Sequence, residues 1–205
     1  MVNNIKYKVV LVGAFSLLLL SALVLADSSN DNAKLVNNVN QPITIERDAL
    51  LAAYSYEDLN NYSDTVVMGT VKEILPPKWN TIDGKLPNKA PDEFDINDLI
   101  YTDVTISVDK YLKNSLSSNE VTVRVLGGKV GDDAMVTDEE PSFKPGEKVL
   151  LYLTKDNYEA TKNISPQHFV VTGHMQGKFE LTDNGKAVGW NESISQDELM
   201  STIKE

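Results

Sequence analysis

Two histidines, His168 and His174, lie six residues apart in the segment HFVVTGH, and the chain contains no others. In an unbroken strand both imidazoles would lie on one face, where together with a carboxylate they could bind zinc or copper. Gly173 makes an unbroken strand doubtful, because an internal glycine often marks a bulge. The alternative, two ordinary polar residues at strand ends, therefore stays open.

Acidic side chains are concentrated in residues 128–146. Hard oxygen ligands at such close spacing can bind Ca²⁺, although the spacing is not that of an EF-hand loop. Two interpretations remain, a Ca²⁺ site that orders the segment and a solvated acidic loop. The carboxylates concerned are Asp132, Asp133, Asp138, Glu139 and Glu140.

Signatures of known catalytic sites are absent from the sequence. It has no G-x-S-x-G elbow and no H-E-x-x-H pair, and the stretch GGKVGDD (127–133) lacks the Ser or Thr that follows the lysine of a phosphate-binding loop. A pair of carboxylates could still form a glycosidase site, but their positions along the chain do not bring any two together. The sequence therefore predicts a non-enzymatic protein, with a hydrolase that uses an unrecognised carboxylate site as the alternative.

Three asparagines, Asn61, Asn163 and Asn191, stand in N-x-[ST] sequons. In an exported protein such residues are candidate glycosylation sites, and glycosylation would place them at the surface.

The N-terminal residues have the pattern of an export signal. Lys6 and Lys8 precede an uncharged run, Val9 to Ala26, that ends at Asp27. Small residues at its end fit a cleavage site after Ala26, while its 18 residues also approach the length of a membrane span. We therefore predict that this run forms an apolar helix that precedes the folded domain, and that residues 1–26 are a cleaved signal peptide or a retained membrane anchor. In either case the remainder of the chain is secreted or held at the outer face of the cell membrane.

Composition limits the partners of the exported part. The chain has a net charge of −11, and removal of residues 1–26 removes two lysines and no acidic residue, which leaves −13. Nucleic acids and anionic lipid headgroups need a basic face, so we predict neither as a partner. The chain has no cysteine, which excludes disulfides, a lipid-modified cysteine and thiol-bound metal.

Hydrophobic patterns divide the remainder into a linker and one domain. Residues 27–41 are rich in Asn, Asp and Ser and are predicted to form a flexible linker. Residues 42–205 are predicted to form a mainly β domain, with part of 42–61 helical. Ser55 and Asp58 resemble a capping box. Apolar and polar residues alternate along 99–112, with Asp103 on the polar face, and along 120–126, with Arg124 on the polar face, as in half-buried strands. The turn Asp183-Asn184-Gly185 predicts a hairpin.

Six or seven short strands with short flanking helices indicate a small Greek-key barrel or sandwich. The segments SDTVVMGTVKEI (63–74), YLKN (111–114), VTVRVLGG (121–128) and FKPGEKVLLYL (143–153) resemble, in type and order, OB-fold modules of the netrin and tissue-inhibitor-of-metalloproteinase type. Over about residues 55–182 the layout also resembles uncharacterised exported proteins of methanogenic archaea. The resemblance implies an OB-fold-like barrel and says little about activity, because those modules use cysteines that this chain lacks.

The function predicted from these observations is that of an extracytoplasmic, non-enzymatic binding or interaction module at the cell envelope. Its partner would be an envelope protein or an extracellular ligand, bound by the long loops 76–98 and 128–146. Trp79 and Tyr101 could form a ligand-stacking face there, or Trp79 could anchor its loop on the barrel. A Ca²⁺-dependent envelope protein that uses loop 128–146 is the alternative to a simple binding module.

Overall fold

The computed structural model describes residues 6–11, 42–48 and 50–204. Two single-turn 3-10 helices, Pro91–Glu93 and His174–Gly177, interrupt the connections between strands. The strands and α-helices of the described residues are, in chain order, β1 (Lys6–Leu11), β2 (Ile43–Asp48), α1 (Tyr56–Tyr62), β3 (Thr65–Ile74), β4 (Lys78–Trp79), β5 (Ile100–Lys113), β6 (Glu120–Leu126), β7 (Gly128–Val130), β8 (Asp133–Thr137), β9 (Lys148–Lys155), β10 (Phe169–Val171), β11 (Lys178–Leu181), β12 (Lys186–Val188), β13 (Ser193–Ser195) and α2 (Gln196–Ser201).

Five of these strands close into a barrel in the order β10-β6-β5-β3-β9. The closing strand is β10, in which Phe169 pairs with Val123 of β6 in parallel and with Lys155 of β9 in antiparallel orientation. This connectivity is that of a five-stranded Greek-key barrel of OB type, so the predicted fold class is confirmed.

Alternating apolar residues of the barrel strands fill its interior. On β5 and β6, Val104 lies opposite Val123 and Ile106 lies opposite Val121, and all four are buried. Cross-strand pairs of β-branched residues of this kind stabilise antiparallel sheets. The prediction of a half-buried strand is correct only from Thr105 onward. Nearer its start β5 is buried on both faces, because other segments cover its polar side.

A second core lies on the outer side of the barrel, where α1 and α2 pack. Its buried members include Leu59 and Leu199 from the helices and Phe179 from β11. The predicted capping box is present, since the Asp58 amide donates to Ser55 Oγ at 3.1 Å and the Ser55 amide donates to Asp58 Oδ2 at 2.9 Å. The predicted hairpin over Asp183-Asn184-Gly185 joins β11 to β12.

The prediction that part of 42–61 is helical is met by α1, and the start of this segment forms the strand β2, which was not predicted. Ile43 and Ile45 alternate there with polar residues and are buried against a cluster that includes Trp79. One prediction about the connections is wrong. Residues 128–146 are not one long loop. They contain the hairpin of β7 and β8, and β8 pairs in parallel with β2. The resulting small sheet, β1-β2-β8-β7, covers one end of the barrel.

The predicted export segment is described only in part. Its first residues, Val9 to Leu11, belong to β1, which pairs antiparallel with β2. Residues 12–41, which include the rest of the apolar run and the predicted linker, lie outside the described residues. None of the helices in the described part of the chain has the length and apolar character needed to cross a bilayer.

Gly69 of β3 provides a test of the barrel packing. A Cβ atom at this position would overlap the carbonyl oxygen of Ser107 and lie 2.9 Å from Cγ2 of Ile106 on the neighbouring strand. We expect Gly69→Ala to lower the free energy of unfolding by about 1–3 kcal/mol through overpacking. The adjacent change Thr70→Ala, at a half-buried site, serves as the control and should cost less in urea unfolding. Equal effects of the two changes would contradict the packing described here.

Candidate functional site

A groove of about 350 Å³ lies at the start of β5, between the loop that connects β4 to β5 (residues 80–99) and the loop that connects β9 to β10 (residues 156–168). Tyr101 of β5 is its inner boundary. Ile82, at the rim, is fully exposed to solvent. We call it the loop groove, and its lining residues are Lys78, Thr81, Ile82, Asp83, Gly84, Tyr101, Asn163, Ile164 and Ser165.

A buried ion pair lies beneath the loop groove. Asp103 of β5 and Arg124 of β6 are directly opposite in the antiparallel register. The Arg124 guanidinium donates from Nε to Asp103 Oδ1 at 2.7 Å and from Nη2 to Asp103 Oδ2 at 2.9 Å. The two side chains are 1% and 5% exposed, so the pair is a two-point, nearly water-free contact. The guanidinium carbon also lies 3.8 Å from the ring centroid of Tyr101.

Arg124 also holds the 156–168 loop. Its Nη1 donates to the carbonyl oxygen of Ile164 at 3.1 Å, and its Nη2 lies 3.5 Å from that of Ser165. The wall of the groove formed by these residues is therefore fixed to the barrel by hydrogen bonds from a buried charge. Removal of the guanidinium would leave those carbonyl oxygens and the Asp103 carboxylate without their donors.

A second buried pair closes the neck of the same loop. His168 Nε2 lies 2.8 Å from Asp156 Oδ2, and His168 Nδ1 lies 2.7 Å from the carbonyl oxygen of Pro166. Both ring nitrogens of His168 are thus engaged by oxygen atoms of its own loop. Thr161 Oγ1 donates to the same carboxylate oxygen at 2.5 Å, and the Tyr158 amide donates to Asp156 Oδ1 at 2.9 Å.

The opposite wall of the groove is anchored by Trp79 and Asn80. The Trp79 ring is fully buried and meets the ring of Phe94 edge-on, with 5.7 Å between centroids. Asn80 Nδ2 donates to the carbonyl oxygens of Asn97 at 3.0 Å and Ala160 at 2.9 Å, so it ties the two loops together. Of the two roles predicted for Trp79, a loop anchor and part of a ligand-stacking face, its burial supports the loop anchor. Tyr101 is buried too, so the two rings do not form an exposed stacking face.

The structure separates the two histidines. His168 lies in the loop neck, whereas His174 begins a 3-10 helix and pairs with a different carboxylate, Glu140, with 3.0 Å between Nδ1 and Oε1. The predicted acidic cluster is also dispersed. Asp133 Oδ1 accepts from the amide of Ile43 at 2.9 Å, Glu139 is buried, and Asp132 and Asp138 are exposed. Across residues 42–48 and 50–204, no group of three or more histidine, aspartate or glutamate side chains is arranged to hold a metal ion.

All three sequon asparagines, Asn61, Asn163 and Asn191, are exposed. Asn163 lines the loop groove, so a glycan at this position would lie on its rim.

Sequence reasoning missed the ion pair that supports the loop groove. Asp103 was predicted on the polar, solvent face of its strand, and Arg124 stood among valines as an ordinary polar residue. Opposite charges on the polar faces of two adjacent predicted strands were an available signal, but their pairing depends on the register, which the turn residues do not fix by themselves.

The sequence matches none of the protein-family models against which it was scanned and none of the curated proteins with which it was compared.

The ion pair gives a stability prediction. Replacement of one partner, as in Arg124→Met, leaves a buried carboxylate without its counter-charge, and we expect a loss of about 3–5 kcal/mol in the free energy of unfolding. Replacement of both, Asp103→Leu with Arg124→Met, should cost less than the single change. Urea unfolding of the variants checks this. A double variant less stable than Arg124→Met would show that the pair is not the interaction that matters.

The His174–Glu140 pair gives a pH prediction. The hydrogen bond with Glu140 raises the pKa of His174 above its usual value, while partial burial and Arg47 act in the opposite direction. A histidine whose pKa is raised by folding stabilises the folded state fully below the unfolded pKa of about 6.5. This stabilisation disappears as the pH rises through the pKa of the folded state. The melting temperature of the wild type should therefore exceed that of His174→Gln by more at pH 6 than at pH 9. The side chain is 46% exposed, so the difference will be small.

The matched control is Lys162→Gln, which removes a pair with Glu159 whose carboxylate is 83% exposed. Its effect on the melting temperature should be the same at both pH values, since this variant changes no histidine. A His174→Gln effect that does not depend on pH would contradict the assignment.

Proposed function

We propose that this protein is a non-enzymatic binding module of the cell envelope and that its contact surface is the loop groove. The observation that carries the proposal is a fully exposed isoleucine, Ile82, at the rim of a groove with fixed walls. Concave surfaces lined by apolar side chains and a few polar groups are where ligands and partners commonly bind.

The fixed walls favour binding over a purely structural role for these loops. Arg124 and Asn80 hold the backbone of the 156–168 loop from both sides, and the Asp156–His168 pair closes its ends. A surface that is already ordered loses little conformational entropy when a partner docks, so more of the contact energy remains as affinity. Of the two predicted contact loops, the first supplies most of one wall, whereas much of 128–146 is used for strand pairing.

Mixed chemistry in the groove suggests a polypeptide partner. Ile82 and Ile164 offer apolar contacts, while the side chains of Lys78, Asp83 and Asn163 offer charged and polar ones. An extended peptide segment, with alternating side chains and a polar backbone, matches such a surface. The net charge of −11 argues against nucleic acid.

Neither alternative from the sequence gains support from a specific contact. At the loop groove a hydrolase would need an accessible histidine–carboxylate pair. Both ring nitrogens of buried His168 are used within the loop, and the more exposed pair of His174 with Glu140 does not line the groove. A Ca²⁺-dependent protein would need its carboxylates close together, and those of residues 128–146 are dispersed.

The location outside the cytoplasm is part of the proposal. It is supported by the two N-terminal lysines, the apolar run of residues 9–26 and the acidic, cysteine-free remainder. The resemblance to exported archaeal proteins with a netrin-like module supports the same location.

A single-cysteine cross-linking experiment tests the proposal. The chain has no cysteine, so Ile82→Cys provides a unique site for a photoactivatable label at the groove rim. We expect the labelled protein, incubated with envelope extract, to form a defined protein adduct that excess unlabelled wild type suppresses.

Asp183→Cys is the matched control, because its side chain is 92% exposed and it lies in the β11–β12 turn, which does not line the groove. An unlabelled competitor with Ile82→Asp should suppress the adduct less than wild type does. Equal adducts from positions 82 and 183, or equal competition by both proteins, would overturn the proposed surface.

A further inference from the structure

Trp190 is a large aromatic side chain displayed at the surface. It follows β12 in a tight turn that is closed by the hydrogen bond from the Gly189 amide to the Glu192 carbonyl oxygen at 2.9 Å. The residue is 58% exposed, whereas Trp79, the other tryptophan of the chain, is fully buried. The exposed indole borders a surface cleft, so it is available to a partner.

A cleft of about 310 Å³ lies beside the Trp190 ring, distinct from the loop groove. We call it the Trp190 cleft. Carboxylates, apolar side chains and one lysine contribute to its surface, among them Glu140, Lys178, Glu180, Val188 and Trp190.

The turn that carries Trp190 is held in place from below. A Cβ atom at Gly189 would lie 2.9 Å from the ring of buried Phe179, so the backbone runs directly over the second core. Val188 pairs with Glu180 across the β11–β12 ladder. Glu180 is exposed, and its partner Val188 lies two residues before Trp190. A carboxylate and an indole therefore line one cleft on the hairpin of β11 and β12.

Charges around the cleft favour a cation. The Lys178 ammonium is compensated by Glu147, at 2.5 Å between Nζ and Oε1, and lies 5.0 Å from the ring centroid of Phe143. Lys178 and Glu147 are therefore close to neutral as a pair, and Glu140 is paired with His174, so the negative charge of the cleft comes from Glu180. The net charge of −11 adds a long-range attraction for positive partners.

An indole face is the side chain to which ammonium and guanidinium groups bind best, and nearby carboxylates strengthen the attraction. We propose that the Trp190 cleft binds the basic side chain, Arg or Lys, of a partner polypeptide, with the cationic group against the Trp190 ring and close to Glu180. The cleft is a second contact site, independent of the loop groove.

The probe for this site is the tripeptide Gly-Arg-Gly amide, compared with the same peptide carrying citrulline, which has nearly the shape of arginine without its charge. Because Trp79 is buried, a change in tryptophan fluorescence on titration at low salt reports mainly on Trp190. We expect a saturable change with the arginine peptide, weakened by added salt, and a much smaller one with the citrulline peptide.

Variants locate the site by calorimetry. We expect Trp190→Ala to weaken binding of the arginine peptide by about 2- to 30-fold, the range of a cation–π contact. Trp190→Phe, which keeps a weaker aromatic face, should weaken it less. Glu180→Gln should also weaken binding, whereas Asp132→Asn, which removes an equally exposed carboxylate elsewhere, should not.

Three results would overturn the inference. They are equal binding of the citrulline and arginine peptides, no effect of Trp190→Ala, and equal effects of Glu180→Gln and Asp132→Asn. Melting temperatures of all variants close to that of the wild type would confirm that they fold. Ile82→Asp should bind the peptide as the wild type does, so failure at this site and failure at the loop groove can be told apart.

Discussion

The two-point ion pair between Asp103 and Arg124 is the contact on which one end of this molecule depends. It forms only if β5 and β6 pair in the observed register, because the two residues are directly opposite. It also places a permanent positive charge where Tyr101 and the carbonyl oxygens of the 156–168 loop can use it. Dehydrating two charges is costly, and only the full set of partners around the guanidinium compensates for that cost. Arg124 thus links the register of β5 and β6 to the wall formed by the 156–168 loop.

Features that depend on local signals could be predicted from the sequence, whereas features that depend on long-range partners could not. Period-2 alternation along β5 and β6 and the turn at Asp183-Asn184-Gly185 identify the barrel strands and the last hairpin correctly, since both signals are local. The short strands β2, β7 and β8 were missed, because segments of three to six residues owe their structure to the cluster around Trp79 and not to their own pattern. Local periodicity carries no information on such long-range partners.

The acidic cluster and the two surface clefts also depend on contacts between residues that are distant in the sequence. Acidic residues that are close in sequence, such as Asp133 and Glu140, are used separately once the hairpin of β7 and β8 forms. Residues far apart in sequence, such as Tyr101 and Ile164, meet at the loop groove. Of the two predicted contact loops, 76–98 lines much of the loop groove, and its contact with a partner stays a prediction. The Trp190 cleft had no signal in the sequence, because an exposed tryptophan cannot be told from a buried one without the fold.

Closure of the barrel by β10 has a consequence for the order of folding. This three-residue strand joins β6 to β9, and β9 in turn pairs with β3 at separations of 78 to 88 residues along the chain. Contacts over such separations form slowly, because the entropy of closing the intervening chain is lost before the contacts repay it. We therefore expect the hairpin of β5 and β6 to form before β3 pairs with β9. The three-residue β10 has few contacts to lose, so the closed barrel should open there first, and hydrogen exchange at Val170 and Val171 should precede exchange within β5.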